Sequence, residues 1–248
     1  MAVATAKRVN HFLDLPVAIV TDQESLPANP DYKFDQVIIA DADKTNVKNR
    51  NIWANKGRYR AYQFSPYDET ILLDTDYLVN SRTLLKTFET YDDFCCHNTT
   101  TCLMAPGTGH EIISSTSFHM LWATVITFRK TKRAEQIFDC MKMIQENYQH
   151  YSSLYGFVGG VFRNDYALSI ALRIVNGHTV NKQDYIPWKL VHVDINAHPF
   201  RESDDEFNTA YTVMYDNWQR GKIRKDYINI VDTDFHVLDK DKFTELTK

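Results

Sequence analysis

No charge of one sign dominates this chain. Its 28 Lys and Arg residues stand against 32 Asp and Glu, for a net charge of −4 over 248 residues and a pI near 6.1. There is therefore no general attraction to nucleic acid or anionic lipid. That disfavours a dedicated DNA-binding module but leaves room for an enzyme that meets a polyanion through a local patch. No apolar run approaches the roughly 20 residues a membrane helix needs, and the opening "MAVATAKRVNHF" lacks the apolar core of a signal peptide. The expectation is a cytoplasmic protein without a membrane partner. Cysteine is scarce: Cys95, Cys96, Cys102 and Cys140. "FCCHNTTTC" has vicinal cysteines and one His but no second pair to close a zinc tetrahedron, which favours free thiols in a reducing compartment. The sequon at Asn98 has no meaning without secretion. Internal repeats, low-complexity segments and a Gly-rich, Lys- or Arg-bearing phosphate loop are also missing.

What is present reads as alternating helix and strand. "AVATAKRVNHFL" has helical spacing and is broken at Asp14, Leu15 and Pro16; "VAIVTD" (17–22) and "FDQVIIAD" are strands. A polar stretch runs to Arg60, followed by a short amphipathic helix and the strand "TILLDTD". "SRTLLKTFETY" starts with Ser81 in a helix-capping position. "LWATVITFR" predicts a strand, "KRAEQIFDCMKMIQENYQHY" and "NDYALSIALRIVN" predict helices, and "YINIVDTDFHVLD" alternates like a strand. Such alternation predicts an α/β fold with a mixed, mostly parallel sheet flanked by helices. The expected organisation is one domain over 1–248, with a less regular extension over about 201–248.

Asp-x-Asp occurs three times, at Asp41/Asp43, Asp74/Asp76 and Asp232/Asp234, each where a predicted strand ends. Ligands of α/β sheets bind beyond the carboxyl ends of strands, so position does not choose among them, and Asp is also an ordinary turn former. Neighbours decide. The stretch "GRYRAYQFSPYDETILLDTDYLV" carries Arg58 and Arg60, a Tyr-rich turn, an apolar strand and then the two carboxylates.

This block resembles the glycogenin-like retaining glycosyltransferases of family 8, which have the GT-A (Rossmann-like) fold. It matches without a gap from Arg58 to Val79: Arg58 falls on the family's donor-contacting base, Tyr62 on its aromatic, Tyr67-Asp68 on its Tyr-Asp, and Asp74 and Asp76 on its metal-binding pair. The resemblance implies Mn2+ or Mg2+ as cofactor, a nucleotide-sugar donor (a UDP-sugar) and transfer to an acceptor hydroxyl with retention. The acceptor is a saccharide, a protein or, as a lesser alternative, a modified nucleic acid; oligomeric state is not implied. The "FDQVIIADADKTN" strand resembles one whose second carboxylate the family does not share, which makes Asp41 and Asp43 turn residues.

Further residues follow from the same resemblance. "HVDINAHPF" aligns with the family's His-x-x-Gly-x-x-Lys-Pro-aromatic pattern, implying His192 as third metal ligand and His198 in place of the phosphate-contacting Lys; Ile195 replaces the Gly. "FRNDYALSIAL" echoes the acidic helix start beside the reacting sugar, implying roles for Asn164 and for Asp165 as the catalytic carboxylate, with Arg163 replacing an Asp. Thr75 joins Arg58, Asp74, Asn164 and His198 on the donor-binding side. "LWATV" (121–125) lacks the family's Asn-Ser-Gly, so the sugar or its hold differs; the family's first strand and its base-binding end are missing before Met1; and nothing aligns after Arg201. The chemistry suits the residues: a departing diphosphate gathers negative charge, which a divalent ion held by two carboxylates neutralises, while Arg adds donors. The alternatives are a nucleotidyltransferase and a non-catalytic GT-A-like binding protein. The basic run "RGKIRKDY" (220–227) reads as a solvated face or an acceptor-facing one.

Overall fold

The computed structural model describes residues 1–28, 31–41, 45, 47–48, 51–52, 56–90, 93–105, 111–157, 160–219 and 221–248. The chain opens with helix α1 (Ala2–Leu13), whose Ala6, Val9 and Leu13 recur at helical spacing and are buried. Asp14 ends it in the left-handed region at φ 55°, where its N–H reaches the Asn10 carbonyl. Strands β1 (Ala18–Thr21) and β2 (Gln36–Ile39) pair in parallel. The polar stretch contains the short strands β3 (Val47–Lys48) and β4 (Asn51–Ile52), then a 3-10 turn over Lys56–Arg60 that runs into α2 (Ala61–Phe64). Asp41 is exposed; Asp43 lies outside the described residues.

Strand β5 (Glu69–Leu73) leads through a turn to β6 (Tyr77–Leu78), and Ser81 accepts the Thr83 N–H just before α3 (Lys86–Thr90). Then come β7 (Phe94–His97), β8 (Thr100–Cys102) and β9 (Trp122–Arg129). Helix α4 (Lys132–Glu146) is capped by the Thr131 hydroxyl, which accepts from the Ala134 N–H, and buries Ala134, Ile137, Phe138, Met141 and Ile144. The expected single helix over 132–151 is broken: Asn147 leaves helical geometry (φ −118°, ψ 32°), and α5 (Tyr148–Tyr155) ends at Gly156 with φ 67°. Helix α6 (Asn164–Val175) packs against α4 and β9.

The remaining elements are β10 (Leu190–Val193), β11 (His198–Arg201), β12 (Tyr211–Gln219), β13 (Lys222–Ile230), β14 (Phe235–Val237) and α7 (Lys240–Leu246). The stretch from 201 is thus not an irregular extension. It forms a nine-residue-per-strand hairpin, and Tyr211, Val213, Ile230, Phe235, Val237, Phe243 and Leu246 share a buried cluster with Leu78 and Val193.

The α/β class holds, but the sheet expectation needs correcting. Of the nine strand pairings among the described residues, three are parallel (β1–β2, β8–β10, β10–β14) and six antiparallel. Parallel neighbours need long crossovers, usually a full helix, and α2 and α3 are only four and five residues long. Strands β5 and β7 instead flank β9, each antiparallel to it. A second sheet runs β6–β14–β10–β8, and a third β11–β12–β13. Among the described residues no helix is long and apolar enough to cross a membrane.

A candidate metal centre where two sheets meet

Asp74 follows the last residue of β5 and Asp76 immediately precedes β6, so the pair sits in the turn that carries the chain from one sheet to another. The turn is fastened on every side. The Asp74 N–H donates to the Thr124 carbonyl of β9 (3.0 Å), and the Tyr77 N–H closes back on the Asp74 carbonyl (3.2 Å). The Thr5 hydroxyl of α1 donates to the Thr75 carbonyl (2.8 Å), and the Val237 N–H of β14 to the Asp76 carbonyl (3.0 Å). Two anions at the end of an apolar strand are therefore held by a rigid, hydrogen-bonded backbone.

Their charge is countered by two cationic partners. Arg58, at the end of the 3-10 turn, forms an ion pair with Asp74 and also donates to the Ala123 carbonyl. His236 of β14 lies with Nε2 3.0 Å from Asp76 Oδ1, and both side chains are largely buried. Burial pushes the Asp74 carboxyl up from its ordinary range, and Arg58 pulls it part of the way back. Asp76 falls below its ordinary range: burial opposes this, but the His236 hydrogen bond and charge, with Lys240 adding to them, prevail.

Asp74, Asp76 and His236 each offer one ligand atom, all within 4.8 Å of one another. Metal–ligand bonds of about 2.0–2.6 Å set a maximum ligand separation of roughly 5 Å around a single ion. The donor set of two carboxylates and an imidazole also suits Mn2+ or Zn2+ better than a purely oxygen-seeking ion. The residues fit a divalent cation.

The expected third ligand, His192, is not part of this trio. It stands directly beside it, because β10 and β14 are parallel with His192 in register with His236, and Trp122 of β9 stacks over its ring at 6.1 Å. Burial lowers the His192 pKa, and the His236 charge lowers it further. Its Nδ1 is buried without a hydrogen-bond partner, as is Nδ1 of His236. His236 escaped the sequence reading because "YINIVDTDFHVLD" looked like one strand. Asp232, at φ 50°, breaks it and returns the chain as β14. The available signal was a histidine two residues past the third Asp-x-Asp.

Three other expected residues converge on β9. The Asp165 carboxylate, in the first turn of α6, accepts the Ala123 N–H at 3.0 Å and pairs with Arg163 at 3.0 Å. Ala123 is thus gripped through its N–H by Asp165 and through its carbonyl by Arg58, which itself holds Asp74. So "LWATV" links metal pair, basic residue and acidic helix start through backbone groups. Asn164 is buried at the start of α6. Thr75 is exposed, with its carbonyl turned to α1. His198 is exposed on β11, opposite Met214, and lines an open groove with Arg201, Lys242 and Glu245; no described hydrogen bond joins it to the Asp74 group. Asp234 is spent on structure, its Oδ1 accepting the Asn80 N–H at 2.6 Å, and Asp232 accepts from the Thr209 hydroxyl. The four cysteines are free thiols, three of them buried, and none joins a metal-capable group among the described residues.

No model of a known protein family matches the chain, and no curated protein matches it.

Proposed function

We propose that the protein is a divalent-metal-dependent glycosyltransferase that moves a sugar from a nucleotide diphosphate donor, a UDP-sugar, to an acceptor hydroxyl. The observation that carries this reading is the trio Asp74, Asp76 and His236 beside Arg58 and Asp165. A metal, a guanidinium and a carboxylate on one small surface are the groups that a diphosphate leaving group and an electron-poor sugar require. The resemblance of Arg58 to Val79 to the glycogenin-like enzymes supports the same assignment.

In this reading Asp74, Asp76 and His236 would hold Mn2+ or Mg2+, which when bound supplies positive charge to the diphosphate oxygens. The chain's own residues do the rest. Arg58, anchored on the Ala123 carbonyl, offers its remaining donors to phosphate oxygens. Lys240 acts on the Asp76 carboxylate from the start of α7, and is the cation next to the trio that can meet the diphosphate in place of His198. Asp165 faces the donor sugar and stabilises positive charge developing at its anomeric carbon. In a retaining transfer the acceptor enters on the face from which the diphosphate leaves. The diphosphate can then take the incoming proton, and no separate strong base is required.

The test is incubation with a panel of nucleotide sugars and Mn2+, following release of nucleoside diphosphate in wild type and Asp76→Asn. Mn2+-dependent release with one sugar, lost in the variant, supports the reading. Equal release by both proteins, or none with any donor, overturns it.

A further inference from the structure

The third sheet has two unlike faces. Its register places Tyr211, Val213 and Ile230 on the inner side, all buried against the β6–β14–β10 sheet that carries Asp76 and His236. The alternate residues form the outer side: His198 and Phe200 of β11, Met214 and Trp218 of β12, Ile223 and Tyr227 of β13. Trp218 is 70% exposed, Tyr227 62%, Ile223 60% and Phe200 49%. Large rings standing in water on one face of a rigid sheet are uncommon, and such patches mark binding surfaces.

We propose that this outer face is a binding platform for a neutral oligosaccharide chain. A pyranose ring shows a face of C–H groups that lies flat on an aromatic ring, and a rim of hydroxyls that seeks donors and acceptors. The sheet offers both. From strand geometry, Phe200 and Tyr227 stand about 12 Å apart and Tyr227 and Trp218 about 14 Å apart, a line of three rings about 21 Å long. Between the rings lie Thr212 and Asn229, 3.0 Å apart, with polar atoms at the surface.

Charge selects the class of ligand. The one lysine on this face, Lys225, is ion-paired with Asp216 directly opposite it on β12. The pair is neutral by itself, so a polyanion such as single-stranded nucleic acid finds aromatic rings but no uncommitted cationic row to neutralise its phosphates. A neutral chain loses nothing by this arrangement. The platform stands apart from the metal trio and does not depend on the transfer chemistry. If the protein transfers sugar, the face holds the remote part of a glycan acceptor.

The test is calorimetric titration with maltohexaose, cellohexaose and chitohexaose, without metal or nucleotide sugar, alongside a short thymidine oligomer. Because Trp218 and Tyr227 are exposed, Trp218→Ala and Tyr227→Ala should fold normally, which circular dichroism checks. The expected result is binding of at least one hexasaccharide with Kd below about 1 mM, weakened roughly tenfold or more in each variant. Three results would overturn the proposal. These are no binding of any neutral hexasaccharide, tighter binding of the thymidine oligomer, or a dimer in sedimentation that Trp218→Ala dissociates, which would assign the face to a second copy of this chain.

Discussion

Replacing His236 separates the metal centre from the scaffold that surrounds it. His236→Ala removes both a ligand and the partner of Asp76, which is only 8% exposed. Leaving a buried carboxylate unpaired costs roughly 3–5 kcal/mol, or about 6–15 °C of melting temperature at 2–4 °C per kcal/mol for a chain of this size. His236→Gln keeps a donor for Asp76, so its metal-free melting temperature should stay near wild type. The two variants agree on metal. With Mn2+ at about 100 times the wild-type Kd, the native protein should gain about 2.7 kcal/mol, a rise of roughly 5–11 °C. Losing the imidazole should weaken the ion about 100-fold, leaving about 0.4 kcal/mol of stabilisation, roughly 1 °C. His192→Ala should keep most of the shift, since His192 lies outside the trio. Differential scanning fluorimetry with and without Mn2+ reads all four proteins. Full Mn2+ stabilisation in both His236 variants, or its loss only in His192→Ala, would refute the assignment.

Other outcomes follow from the same structure. Asp165→Asn should slow transfer far more than it weakens binding of free UDP, whereas Arg58→Ala should weaken both; steady-state kinetics and UDP titration compare them. Asp232→Asn should change stability by less than about 0.5 kcal/mol in urea unfolding, because Asn tolerates the left-handed backbone at φ 50°. Arg133 bridges Asp93 and Asp184, the latter almost fully buried and also receiving Asn176 and Asn181. Arg133→Met should therefore cost about 3 kcal/mol by the same measurement. His97 is fully buried, and burial lowers its pKa from 6.5 to about 4, only partly offset by its hydrogen bond to the Trp188 carbonyl. A depressed folded pKa gives stability that is present above pH 6.5 and lost as pH falls toward 4. The loss should approach about 3 kcal/mol at 1.36 kcal/mol per unit, and be absent in His97→Gln.

Much of the scaffold was legible because its signals are local. The apolar spacing of α1, α4 and α6 and the runs of β1, β2, β5 and β9 identify those elements from neighbours alone. The carboxylate pair was legible for a different reason: Arg58, the apolar strand and the Asp-x-Asp lie within 20 residues, and the fold closes them on Ala123. His236 was not, since its bond to Asp76 spans 160 positions and depends on how β14 is laid beside β10. Strand direction was equally hidden, because helix and strand alternation does not reveal that α2 and α3 are too short for full crossovers. The regularity of the last 48 residues was within reach, as Tyr211, Val213, Ile228 and Ile230 recur at a period of two.

The most direct test of the account is calorimetric titration of UDP into the protein, with Mn2+ and with a chelator, in wild type and in Asp76→Asn. The account predicts binding by wild type only when Mn2+ is present, and none by Asp76→Asn in either condition. UDP binding of equal strength with Mn2+ and with chelator, or undiminished in Asp76→Asn, would contradict it.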